Sequence, residues 1–180
     1  MNQNQTEKLV LERQAAELFA DCFAKQFGRK FRFVSHNAPQ KPDVTCKLDN
    51  SFIDFEIAHL YGSQAEARHI LGKSLDPKTL QELFALEQHG DADERLVTAL
   101  NRILDNKSTK QYDSHHVWLV IRNANPLWSK ENVLTNVNKI CVPQKHPFEQ
   151  IWLIADFEGK TGLIPLLANP HGCINETNPS

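Results

Sequence analysis

The run Phe52-Ile53-Asp54-Phe55-Glu56-Ile57-Ala58-His59 decides how this chain is read. A β-strand sends alternate side chains to opposite faces. Ile53, Phe55 and Ile57 then share one face, and Asp54, Glu56 and Ala58 share the other. In a sheet covered on both sides neither face is freely wet. Two carboxylates there are costly unless cations match them, a metal binds them or they open into a cleft. An edge strand with one solvated face is the alternative reading.

Upstream, Asp43-Val44-Thr45-Cys46-Lys47 alternates as a second strand, and Asp49-Asn50 between the two supplies a tight turn. Strands joined so closely pair antiparallel. Pairing about the turn brings Asp43 opposite Asp54 or Glu56. Three acids then converge, repel one another and call for a cation. An all-oxygen set of this kind suits Mg²⁺ or Mn²⁺.

Working further outward, Leu9, Ala16, Phe19, Ala20, Phe23 and Phe27 recur at helical spacing and predict a helix from Thr6 to Phe27, stopped by Gly28. At about 100° per residue Glu12 falls inside that apolar stripe and Glu17 at its margin. A glutamate on the core side needs a partner. The alternative is that Glu12 bends outward to water. Lys30 to Val34 alternates as a first strand, and Asn37 to Pro42 reads as a loop.

Downstream of Leu60 comes a helical stretch of about fifty residues. Ser63 with Glu66 forms a capping-box pattern, Gly72 closes that helix, and Asp76-Pro77 opens a second that Gly90 ends. A third carries Leu96, Ala99, Leu100, Ile103 and Leu104 on one face. Val117 to Ile121 is a continuous apolar run, which predicts a strand covered on both sides. Ser129 caps a helix bearing Val133, Leu134, Val137 and Ile140. Ile151 to Ala155 forms another strand, Glu158-Gly159-Lys160 a turn, and Gly162 to Leu167 a last strand. The expectation is a single α/β domain over 1–168, three layers about a mixed sheet, with a loose tail over 169–180.

The chain's 180 residues, 41% hydrophobic and 23% charged with net charge −2, describe an ordinary soluble domain, not a disordered, collagenous or coiled-coil chain. No apolar run approaches the roughly 18 residues of a membrane span. No basic, apolar leader opens the sequence, so a cytoplasmic location is expected. A pI of about 6.4 announces no general basic face but leaves room for a local one. Cys22, Cys46, Cys141 and Cys173 stand singly, without the pairing of a zinc or redox motif. Gly-rich phosphate loops, nucleophile elbows and His-Glu-x-x-His are absent from the sequence. Trp118, Trp128 and Trp152 are read as core. The adjacent His115 and His116 face opposite ways in a strand, which argues against a shared ion.

Pro42-Asp43 followed by Glu56-Ile57-Ala58, on strands that follow a helix, resembles the PD-(D/E)xK nuclease superfamily, the restriction-endonuclease-like fold. The resemblance covers about two thirds of the chain, from Thr6 to Asn123, and implies an αβββαβ core with a helical insertion and extra C-terminal strands. It implies a metal-dependent nuclease hydrolysing phosphodiester bonds in DNA or RNA. Asp43 and Glu56 would hold Mg²⁺ or Mn²⁺ with the backbone carbonyl of Ile57, and Asp54 would support a second ion. The family's helix-borne glutamate maps onto Glu12 or Glu17.

The sequence departs from the family at Ala58, where the motif lysine belongs. Some members bring that lysine from a neighbouring helix, and Lys107 lies at the mean angle of Leu96, Leu100 and Ile103. Lys110 is the second choice. Arg122, Lys130, Lys139 and Lys145 are candidate contacts to a nucleic-acid backbone. His59 is read as a core or dimer-contact residue, and a homodimer would assemble a larger basic surface. The runner-up function is a catalytically inactive nuclease-fold protein that binds nucleic acid or protein.

Overall fold

The computed structural model describes residues 3–62 and 91–167. The patterns at Ser63, Glu66, Gly72, Asp76-Pro77 and Gly90, and the tail over 169–180, lie outside the described residues. The elements are α1 (Gln3–Phe27), β1 (Arg32–His36), β2 (Val44–Leu48), β3 (Ser51–Leu60), α2 (Ala92–Ser108), β4 (Val117–Asn123), α3 (Lys130–Thr135), β5 (Gln150–Ile154) and β6 (Leu163–Leu167). The fold is α/β, with one six-stranded open sheet in the order β1 to β6. The central pairs β3–β4 and β4–β5 are parallel, and the other three are antiparallel.

Each face of the sheet is apolar for a reason visible in the strands. Phe55 and Ile57 of β3, Trp118 and Val120 of β4 and Trp152 of β5 pack under α1, around Phe19 and Phe23. Ala58, Leu60, Leu119, Ile121 and Leu153 face the other way, under Leu96, Leu100 and Leu104 of α2 and Val133 of α3. All five residues from Val117 to Ile121 are buried, as a strand covered on both sides requires. The three tryptophans are core residues, none more than 3% exposed. No helix among the described residues is long and apolar enough to cross a membrane.

The β2–β3 hairpin fixes the register on which the site depends. Asp49 takes φ 53°, a left-handed conformation that a short polar side chain tolerates. Its carboxylate receives Arg29 at 2.6 and 3.0 Å. Leu48 then pairs with Ser51 and Val44 with Phe55. The strand β2 starts at Val44, so Glu56 to Leu60 of β3 pair only with β4 and leave an open edge on the other side.

The helix after Ser129 is shorter than its apolar spacing suggests. It stops at Thr135, and a 3₁₀ turn follows over Val137–Lys139. Asn136 adopts φ −104°, ψ 9°, and its side chain donates to the Asn132 carbonyl at 2.9 Å. That local bond competes with continuation of the helix. Val133 is buried, while Leu134 and Val137 are exposed.

Candidate functional site

The open edge of β3 forms the floor of a cleft of about 790 Å³. Its walls come from the first turns of α1, the loop between β1 and β2, and the end of α2 with the segment after it. Glu12, Asp43, Glu56, Ile57 and Lys107 all line it.

Asp43 stands just before β2, where the observed register carries it opposite Glu56. Asn37 holds the loop that presents it, donating its backbone N–H to the Asp43 carbonyl at 3.0 Å and its side-chain amide to the Pro42 carbonyl at 2.9 Å. The Asp43 side chain takes the place of a missing strand partner, since Oδ2 accepts the Ile57 N–H at 2.8 Å. The Ile57 carbonyl points to the same open edge, and the Lys107 ammonium reaches it at 3.4 Å.

Glu56 is on the α2 face of β3, where it is only 6% exposed. Its partner arrives from the last turn of α2. Leu96, Leu100 and Leu104 bury one stripe of that helix, and Lys107 continues the stripe past its apolar end. Its Nζ donates to Glu56 Oε1 at 2.5 Å. Ala58, two residues further along β3, is buried against the same helix.

Of the two glutamates on α1, the structure brings Glu12 to the cleft. Glu12 is 4% exposed. Burial first, and then the charge of Asp43, push its carboxyl up to about 7. Lys8, one turn earlier, stands 3.1 Å from Glu12 Oε1 and 3.6 Å from Asp43 Oδ1. Glu17 does not line the cleft. It is exposed and bonded to Arg13 at 2.8 Å, because its angle on the helix turns it away from β3.

Asp54 is engaged elsewhere. It shares a face with Glu56 but does not line the cleft. Thr45 and Ser114 donate their hydroxyls to its two oxygens, the latter at 2.6 Å, and Asn37 approaches at 3.4 Å. Its charge is used in tying β2 to the segment before β4. Arg122, Lys130, Lys139 and Lys145 are also absent from the cleft lining. Arg122 lies over the Phe157 ring, and Lys130 and Lys139 bond Thr161 O and Asn136 Oδ1.

Lys8, Lys41 and Tyr112 line the cleft although the sequence pattern gave them no role. Lys8 had one available signal, its i, i+4 spacing from Glu12. Lys41 and Tyr112 had none, since loops bring them in. Burial, and then the neighbouring Glu56, push the Tyr112 phenol up. His59 faces the α1 side as its parity requires, yet it lines the cleft. Burial, with Arg122 adding to it, pushes its imidazole down to about 4, so it is neutral at pH 7.

The acids are therefore not left unmatched. Lys107 meets Glu56, and Lys8 meets both Glu12 and Asp43. Among the described residues no three His, Cys, Asp or Glu side chains stand close enough together to hold a metal ion. The expectation that this pocket has charge balance only with a dication is corrected: the chain's own ammonium groups supply most of it. The oxygen chemistry still fits a hard cation, since two carboxylates and a strand-edge carbonyl face one cleft. No family model, no curated protein and no solved structure matches this chain.

Proposed function

We propose that the cleft is a phosphodiesterase site of the PD-(D/E)xK nuclease type, acting on DNA or RNA with Mg²⁺ or Mn²⁺. One observation carries the reading: Lys107 reaches Glu56 and the Ile57 carbonyl from α2, beside an Asp43 that caps Ile57. That is an acid, an acid and a lysine gathered from three separate elements, with Ala58 where the lysine is missing from the strand.

Asp43, Glu56 and the Ile57 carbonyl would hold the ion. When bound, such an ion supplies an activated water and neutralises charge on the phosphate. Lys107 would hold that water or face a phosphate oxygen. Glu12, poised to about 7, can hold or release a proton at its carboxylate near neutral pH. Lys41 and Lys110 on the cleft walls offer positive charge to a polyanion.

The test is Mn²⁺-stimulated cleavage of mixed DNA and RNA by purified protein, with Asp43→Asn and Lys107→Met as controls. Cleavage lost in both variants supports the reading. Wild-type protein that binds nucleic acid but never cuts it, at any metal concentration, favours the second reading: a nuclease-fold binding module. The lysine pairing of all three acids is the observation on that side.

A further inference from the structure

Tyr112 lines the cleft and has no part in the chemistry above. It stands between α2 and β4, and the two residues after it are pinned. Asp113 donates its N–H to the Gln40 carbonyl at 3.0 Å, and Ser114 donates its hydroxyl to Asp54 at 2.6 Å. The Tyr112 ring lies against Phe148, with centroids 6.1 Å apart, and Phe148 is only 5% exposed. Packing against the core under α2 therefore fixes the stem of the side chain.

The tip is in a different condition. The Tyr112 hydroxyl is shielded from water and has no hydrogen-bond partner among the described residues. A buried donor left unpaired costs stability, so such atoms are uncommon. Neighbouring Glu56 does not relieve it, since Lys107 takes Oε1 of that carboxylate and the phenol bonds neither oxygen. Burial and the charge of Glu56 hold the phenol above its ordinary range, so at neutral pH the oxygen keeps its proton and can donate. A fixed ring with an unmet O–H is preorganised for an acceptor brought by a ligand.

Lys107 brings ammonium N–H donors to the same carboxylate that Tyr112 borders. A group seated beside both must accept hydrogen bonds. In a nucleic-acid strand the phosphodiester oxygens do so and donate nothing, and tyrosine is among the side chains that meet them. We propose that Tyr112 is a substrate-binding residue of this cleft, its O–H donating to a non-bridging phosphate oxygen of the bound strand. The proposal rests on the phosphodiester reading of the cleft and makes the contact one that DNA and RNA share.

Tyr112→Phe keeps the ring on Phe148 and removes the hydroxyl. Fluorescence anisotropy of short labelled single strands, DNA and RNA of one base sequence, reads binding in EDTA, where metal-dependent cutting stops. Thermal unfolding of the protein alone reads the fold. Tyr112→Phe should bind both strands about tenfold more weakly, the effect of losing one bond to a charged acceptor. It should melt no lower than wild type, because the hydroxyl bonds nothing within the fold. A lower melting temperature overturns the proposal, since the hydroxyl would then serve the fold. Equal affinity overturns it and leaves the nuclease reading standing. A loss confined to RNA also overturns it, moving the contact to the ribose 2′-hydroxyl. Wild type that binds neither strand overturns it, and Mn²⁺-stimulated cleavage then judges the nuclease reading by itself.

Discussion

Lys107 and Glu56, fifty-one residues apart in the chain, meet at 2.5 Å between Nζ and Oε1. The pair joins the end of α2 to the middle of β3, and both side chains are largely shielded, at 23% and 8% exposure. Breaking one partner of a shielded pair leaves a charge without compensation. Lys107→Met should therefore lower stability in urea unfolding by about 3 kcal/mol. The double variant Lys107→Met/Glu56→Gln should recover much of that loss, because no charge is then stranded. Equal destabilisation in the single and double variants would show that the pair is not coupled.

Asp43→Asn and Glu56→Gln keep shape and remove charge. Each should lower Mn²⁺-stimulated cleavage by about a hundredfold or more, the scale on which acid–base and metal-positioning groups contribute. Glu17→Gln should leave the rate unchanged, since Glu17 is exposed and paired with Arg13. Single-turnover rates on a fluorescent oligonucleotide are the measurement. A Glu17 variant as slow as the Asp43 variant would contradict the assignment.

Glu12 makes the metal-free protein's stability depend on pH. Its carboxyl is raised from 4.5 to about 7 by burial and by Asp43. Between those values the unfolded chain has released the proton that the folded chain still holds, so stability falls as pH rises. The favourable contribution is complete below pH 4.5 and is lost through pH 7. Melting temperatures from pH 4 to 8 should decline over that window in wild type and much less in Glu12→Gln.

The cysteines should separate by reactivity. Cys22 and Cys46 are buried, and Cys141 is exposed. Burial, with Asp54 adding to it, pushes the Cys46 thiol up to about 12, which suppresses the thiolate that reacts. In a Cys173→Ser background one thiol should label rapidly with a disulfide reagent at pH 8, and two more only on unfolding. Three fast thiols would place Cys46 or Cys22 nearer the surface than found.

Gly159 is a position where shape alone predicts the outcome. It sits at φ +69°, and an added Cβ would meet Leu18 Cδ1 at 2.8 Å and Cys22 Sγ at 2.9 Å. Gly159→Ala combines an unfavourable backbone with crowding against α1, so it should cost about 1–3 kcal/mol. Chemical denaturation reads it directly.

Much of this arrangement was legible in the chain. The alternation from Phe52 to His59 separated Glu56 from Phe55 and Ile57, and the two-residue turn at Asp49-Asn50 narrowed the partner of Asp43 to Asp54 or Glu56. Both are local, since strand parity has period two and a short turn allows one register. The stripe on α2 likewise aimed Lys107 at the packed side. Leu134 and Val137 misled because the Asn136 side chain takes the Asn132 carbonyl, while its backbone N–H turns to Val133. Asp54 misled because parity states a face and not the donors waiting there.

The sequence by itself determined the α/β class, the antiparallel hairpin and the approach of Asp43 to the acidic stretch of β3. Only the tertiary structure decided which cations meet those acids, that Glu12 and not Glu17 joins them, and that β2 begins late enough to leave the Ile57 edge open. The physical reason is range. Periodicity and turn chemistry act over a few residues, whereas the landing of a helix on a sheet is set by side-chain packing between segments far apart in the chain.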